Sequence, residues 1–174
     1  SKIPKEIVQS FSSVRVTEEM KQNIDNWISK NPKYSYYYFD ESDIVDFIKN
    51  NYSERHLKAF YKINPGAGRA DFFRYLYLYK NGGFWLDITI VCMKSLDKII
   101  NKNTDILLVH DINADNIYNA IMGFPKSHPI MKECVQKCLD NIEKETFKNK
   151  GKYCIYHTTG PELIKEVFEK YSKN

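Results

Sequence analysis

The feature that most constrains this chain is residues 70–89, A-D-F-F-R-Y-L-Y-L-Y-K-N-G-G-F-W-L-D-I-T. Phe73, Leu76, Tyr77 and Lys80 form a stripe at helical spacing, which predicts a helix over Arg69–Lys80. Gly82 and Gly83 end it, since glycine adopts positive φ without steric cost. Phe84-Trp85-Leu86 then reads as a short buried strand, with Asp87 at its end. Asp71 and Arg74, three residues apart, share one helix face near its start. By themselves they read as a favourable first-turn acid and its salt-bridge partner. Polar groups at the ends of packed elements are also where α/β sheets hold ligands.

The flanking residues supply the rest of such a sheet. Ile3 to Phe11 reads as a first strand, with Ile7 and Val8 in the core. Thr17 opens a helix as N-cap, followed by Glu18 and Glu19. That helix runs to Lys30 and is expected to bury Met20, Ile24, Trp27 and Ile28. Asn31-Pro32 stops it, and the aromatic run Tyr34–Phe39 is a second strand. Two short amphipathic helices follow, one from Ser42 and one over Ser53–Tyr61. Ile63–Gly68 is a turn-rich connection whose amides could face an anion. Further strands are expected at Ile90–Met93 and Asp105–Val109. Pro129 starts a helix that buries Ile130, Met131, Cys134, Val135, Cys138, Leu139 and Ile142. A polar linker over 143–152 leads to a closing helix from Gly160-Pro161, with Leu163, Ile164, Val167 and Phe168 inward. This alternation gives an α/β fold, a mixed and mainly parallel sheet flanked by helices, in a single domain over 1–174.

Composition narrows the class. A chain of 174 residues, 43% hydrophobic and 28% charged, is long enough for one substantial core and reads as soluble and globular. The net charge of +4 suits an anionic small ligand but is too small and dispersed to favour nucleic acid. The 13 tyrosines and 10 phenylalanines read mostly as packing. Cys134 and Cys138 are four apart, Cys92 and Cys154 are isolated, and no zinc spacing occurs. Buried reduced thiols are the default, which points to a cytoplasmic setting. No run approaches the ~20 apolar residues of a membrane span, and no signal-peptide pattern opens the chain. His56, with no partner in view, reads as a surface residue, His128 as structural and Trp27 as core.

The segment R-A-D-F-F-R-Y-L-Y-L-Y-K-N-G-G-F-W-L-D-I-T resembles the DXD-motif sugar transferases of glycosyltransferase family 32. Relatives of that kind include Golgi mannosyltransferases, bacterial capsule-sugar transferases and the glucosylating domains of large clostridial toxins. The resemblance extends to Ile-Pro-Lys-Glu-Ile-Val-Gln at 3–9, to 31–41 and to Lys94–Ile100. It continues through Asn116–Gly123 and Thr159-Gly160-Pro161. It implies a GT-A-like fold over nearly the whole chain. It also implies transfer of a hexose from a UDP- or GDP-sugar to a glycan or other hydroxyl acceptor, with retention of configuration.

The same resemblance assigns roles. Asp71 and Asn119 would orient the donor sugar, and Arg74 would reach the sugar or diphosphate. Gln9 and Ser10 would lie under the base and ribose, with Phe11 as a neighbour. Asp87 would act with a divalent cation, Mn²⁺ or Mg²⁺, to stabilise the departing diphosphate. Thr89 stands where the family has its second Asp, so the metal would be held more weakly. His157 is the one histidine considered as a further metal or phosphate ligand, and Asp111 as an auxiliary acid; by its own position Asp111 reads as a loop acid. The alternative reading is a non-catalytic nucleotide-sugar or glycan-binding module that has lost full metal binding.

Overall fold

In a computed structural model, which describes residues 2–12, 15–63, 66–146 and 154–173, the chain forms one five-stranded sheet with helices on both faces. The strands are β1 (Glu6–Ser10), β2 (Ser35–Phe39), β3 (Gly83–Leu86), β4 (Leu107–Asp111) and β5 (Asn116–Phe124), in the spatial order β2-β1-β3-β5-β4. β1 pairs in parallel with β2 and β3, whereas β5 runs antiparallel to β3 and β4. The sheet is therefore mixed, with β5 alone reversed. The helices are α1 (Glu18–Lys30), α2 (Glu41–Asn51), α3 (Glu54–Lys62), α4 (Ala67–Asn81), α5 (Pro129–Glu143), α6 (Cys154–Thr158) and α7 (Pro161–Ser172).

Local chemistry fixes the helix ends. The Thr17 hydroxyl accepts from the Met20 N–H at 3.1 Å, and His128 Nδ1 accepts from the Ile130 N–H ahead of α5. α2 starts just before the expected Ser42, because Asp40 and Asp43 cap each other's backbone reciprocally. α4 likewise begins at Ala67 rather than Arg69. It stops at Gly82, whose φ is 68°, and a side chain there would meet the Lys126 backbone nitrogen at 2.7 Å.

Strand alternation separates two apolar clusters. Val8, Trp85 and Met122 point to the face covered by α2, α3, α4, α5 and α7. Ile7, Phe84 and Leu86 point to the other face, where Trp27 of α1 covers them together with Ile3, Cys92 and Leu96. All seven residues expected to be buried on α5 are buried. α1 differs from expectation: only Trp27 is buried, Met20 and Ile24 are half-buried, and Ile28 is 43% exposed. Among the described residues no second α-helix supplies that cluster, so only the side chain aimed straight at the sheet is covered.

Residues 90–93 are not the expected strand. The Ile90 N–H turns back to the Asp87 carbonyl at 2.9 Å. The Ile90 carbonyl accepts from Trp27 Nε1 at 2.8 Å and the Cys92 carbonyl from Lys30 Nζ at 2.9 Å. Side chains of α1 thus satisfy backbone groups that a ladder would otherwise claim. β4 begins at Leu107, later than the expected Asp105. His56 is not a lone surface residue: the Ser53 hydroxyl lies 2.8 Å from its Nδ1, and the Tyr52 ring lies 4.9 Å away. Cys92, Cys134 and Cys138 are buried free thiols. The side chain of Cys154 and most of the 143–152 linker fall outside the described residues. Among those described, no helix is long and apolar enough to cross a membrane.

Candidate functional site

The C-terminal ends of the parallel strands β2, β1 and β3 open onto a cleft of about 350 Å³. Ser10, Phe11 and Ser12 enter it from the end of β1, and Glu41 and Ile44 from α2. Gly66, Ala67, Arg69, Ala70 and Arg74 come from the start of α4, and Trp85, Asp87, Ile88 and Thr89 from the end of β3. Alternation explains the selection. Ser10 and Asp87 share the parity of Val8 and Trp85, so they emerge on the α4 face. Gln9 has the parity of Ile7 and lies on the opposite face.

Arg74 is the centre of the site. Its Nη2 lies 3.3 Å from Asp71 Oδ1, and its Nη1 lies 3.1 Å from Asp87 Oδ1. Nη1 also donates to the Asn119 carbonyl at 2.7 Å, and Nε donates to the Ala70 carbonyl at 3.3 Å. The guanidinium sits 4.9 Å from the centre of the Trp85 ring, whose Nε1 donates to Asp87 Oδ1 at 2.8 Å. Asp71, Arg74 and Tyr75 fall on one face of α4, as i, i+3 and i+4 must. That face meets Asn119 because β5 carries an irregularity. Leu108 pairs with Met122 and His110 with Ile117, so two steps along β4 match five along β5. An odd excess swaps faces, and Asn119 turns toward α4.

Asp71 lies beneath the cleft, 5% exposed, with both oxygens engaged. Asn119 Nδ2 donates to Oδ1 at 3.0 Å and also to the Tyr75 hydroxyl at 3.1 Å. The Thr159 hydroxyl donates to Oδ2 at 3.0 Å. Burial pushes the Asp71 carboxyl up to about 6, against the opposing pull of Arg74 and the Thr159 hydrogen bond. Among the described residues every buried side-chain nitrogen and oxygen has a partner. The inner cluster is therefore a finished, pre-organised network, and the Asp87 side chain, 34% exposed, is its outlet to the cleft.

The structure brings Asp71, Arg74, Asp87 and Asn119 together, with Ser10 and Thr89 on the cleft wall. Gln9 is placed otherwise than expected. It is fully buried, donates from Nε2 to the Asp87 carbonyl at 3.3 Å and accepts from the Tyr36 hydroxyl at 2.8 Å. It holds the backbone of Asp87 rather than facing the cleft. His157 sits apart from the cleft lining, with Nδ1 3.5 Å from Glu162 Oε2. Asp111 caps its own turn by accepting from the Asn113 and Ala114 N–H groups. Sequence reasoning missed Thr159, Tyr75 and Trp85 as parts of the cluster. The i, i+4 spacing of Asp71 and Tyr75 and the alternation of Trp85 and Asp87 were the available signals.

Among the described residues no group of three or more His, Cys, Asp or Glu could hold a metal ion. Beside Arg74 the cleft offers the Asp87 carboxylate and the Thr89 hydroxyl. Mg²⁺ and Mn²⁺ suit such a sparse donor set when substrate phosphates supply further ligands.

Known proteins resemble the chain in sequence and in fold. The chain is 27% identical over 172 residues to inositol phosphoceramide mannosyltransferase 3 of Schizosaccharomyces pombe, covering 98% of this chain and 46% of that protein. It is 29% identical over 180 residues to an initiation-specific alpha-1,6-mannosyltransferase of Candida albicans, covering 85% of this chain and 46% of that one. The chain thus spans about half the length of these curated relatives. Among solved structures it matches the PaToxG glycosyltransferase with a TM-score of 0.74 at 15% identity, over 97% of this chain and 69% of that one. The α/β architecture is therefore that of a GT-A-like glycosyltransferase fold. With residues 17–106 matching the family profile described as "Glycosyltransferase sugar-binding region containing DXD motif", the chain belongs to that family.

Proposed function

We propose that this chain transfers a hexose from a nucleotide-diphosphate sugar, UDP- or GDP-linked, to a glycan or other hydroxyl acceptor, with retention of configuration. The observation that carries the reading is Arg74, bridging buried Asp71 and cleft-facing Asp87 beside the N-terminus of α4. A guanidinium and helix-start amides are suited to the charge that builds on a departing diphosphate. The mannosyltransferase relatives support a hexose donor.

Asp87 and Thr89 would hold a Mn²⁺ or Mg²⁺ ion shared with the diphosphate. When bound, the ion supplies Lewis-acid stabilisation of the leaving group. Asp71 and Asn119 fix Arg74 and its neighbours from below, and Ser10 and Phe11 line the side where ribose and base would lie. Asp71 and Asp87 are both paired with Arg74, and Glu41 with Arg69, which leaves none of the three as a free nucleophile. That favours front-face displacement. The bond from the anomeric carbon to the phosphate oxygen breaks, the acceptor oxygen bonds to the same face, and its proton passes to the departing phosphate.

The test is release of UDP or GDP from a panel of nucleotide-hexoses with Mn²⁺ or Mg²⁺. Activity should fall at least about 100-fold in Asp87→Ala while circular dichroism is retained. Binding of a donor without any release would leave the binding-module reading, which Thr89 favours. Absence of any nucleotide-sugar binding would sink the transferase and leave only a glycan-binding module.

A further inference from the structure

Resting on the donor reading above, a second part of the same cleft names the nucleotide. Because β2, β1 and β3 are parallel neighbours in that order, the residues leaving their C-terminal ends stand in a row. Asp87 follows β3, Ser10 to Ser12 follow β1, and Glu41 follows β2, all lining the cleft. Glu41 and Asp87 are thus separated by about two inter-strand spacings, ~10 Å. In a nucleoside diphosphate a ribose separates base from pyrophosphate. A pyrophosphate at Asp87 and Arg74 therefore carries its base toward Glu41.

Glu41 is held for such a task. Arg69 Nη1 donates to Glu41 Oε1 at 2.8 Å. Arg69 is itself immobilised, donating from Nε to the Ile63 carbonyl at 2.9 Å and from Nη2 to the Tyr61 carbonyl at 3.3 Å, with its guanidinium 5.0 Å from the Phe60 ring. The Arg69 side chain is 14% exposed and that of Glu41 is 43% exposed. The cleft therefore sees an oriented carboxylate, a group that only accepts hydrogen bonds. On the α4 side Gly66, Ala67 and Ala70 leave room for a flat ring.

We propose that Glu41, held by Arg69, reads the base of the donor nucleotide and selects guanine over uracil. Guanine presents two adjacent donors, N1–H and the 2-amino group, which match the two oxygens of one carboxylate. Uracil presents a single N–H between two carbonyl oxygens, and those oxygens would face the carboxylate as acceptor against acceptor. The donors taken by this site are GDP-sugars.

Titration calorimetry of the whole chain with GDP, UDP and IDP, in the presence of Mn²⁺, tests this. Wild type should bind GDP about tenfold more tightly than UDP, with IDP between them because hypoxanthine lacks the 2-amino donor. Glu41→Gln should bring the three nucleotides within about threefold of one another, since its amide places a donor against a donor. If Glu41 merely braces the fold through Arg69, the variant will weaken all three in parallel and keep the GDP preference. That result, or a wild type that prefers UDP, overturns the assignment of Glu41 while leaving the donor reading intact. If no nucleotide binds wild type, the donor reading fails and this inference fails with it.

Discussion

The two faces of the sheet are covered very differently. On one, α2, α3, α4, α5 and α7 close over Val8, Trp85 and Met122. On the other, α1 covers Ile7, Phe84 and Leu86 mainly through Trp27. The buried polar cluster of Asp71, Arg74 and Asn119 sits on the thick face, and the irregular backbone after Asp87 is tied to the thin one through Trp27 and Lys30. Ionised groups can be kept out of water only where packed neighbours and hydrogen-bond partners hold them in place. The thin face needs less, because the Ile90 and Cys92 carbonyls need only two long side chains to satisfy them.

Four measurements would break or sharpen that contrast. Arg74→Ala, which leaves Asp71 buried without its cation, should cost about 3–5 kcal/mol in chemical denaturation. A cost typical of a surface substitution would show that the thick face does not enclose the cluster. The second measurement is the pH dependence of stability. The native Asp71 carboxyl titrates near 6, above its ordinary value of 3.8. Between these values the folded chain holds a proton that the unfolded chain has released, so this group's contribution falls as pH rises through that window and is level above it. Urea midpoints of wild type relative to Asp71→Asn should therefore decline from pH 4 to 6, by on the order of a few kcal/mol in stability. A relative midpoint that climbs with pH would mean that Arg74 outweighs burial. Third, Thr159→Val removes one donor from a buried carboxylate and should cost about 1–3 kcal/mol. Last, Ile24→Ala on α1 should cost under ~1 kcal/mol, because the residue is only half-covered. A loss matching a buried leucine on α5 would show that the thin face is packed as tightly as the thick one.

Much of the frame was legible in the residues. The α5 stripe, the Thr17 cap, the Gly82-Gly83 stop and the pairing of Asp71 with Arg74 all follow from local spacing and are seen in the fold. What failed depended on partners distant in sequence. Ile90–Met93 carries strand-like side chains, yet its carbonyls are claimed by Trp27 and Lys30, more than sixty residues away in sequence. Gln9 looked like a ligand contact until strand parity put it on the far face. Asn119 was found through family likeness alone, because the odd register shift that turns it toward α4 leaves no local trace. Thr159 lay beside His157 in a stretch already singled out, but only the folded chain shows that the hydroxyl, and not the imidazole, reaches Asp71.

That hydroxyl has a consequence for where a working unit can be cut. The family profile stops at residue 106, yet one oxygen of the innermost acid is capped from residue 159. A fragment trimmed to the profile would keep Arg74 and Asp87 but lose both β5, with its Asn119 amide, and the Thr159 donor. Water would flood the acid's pocket and its proton affinity would relax toward that of a free side chain. The smallest piece worth expressing therefore runs through the junction of α6 and α7 and includes the helix that anchors it.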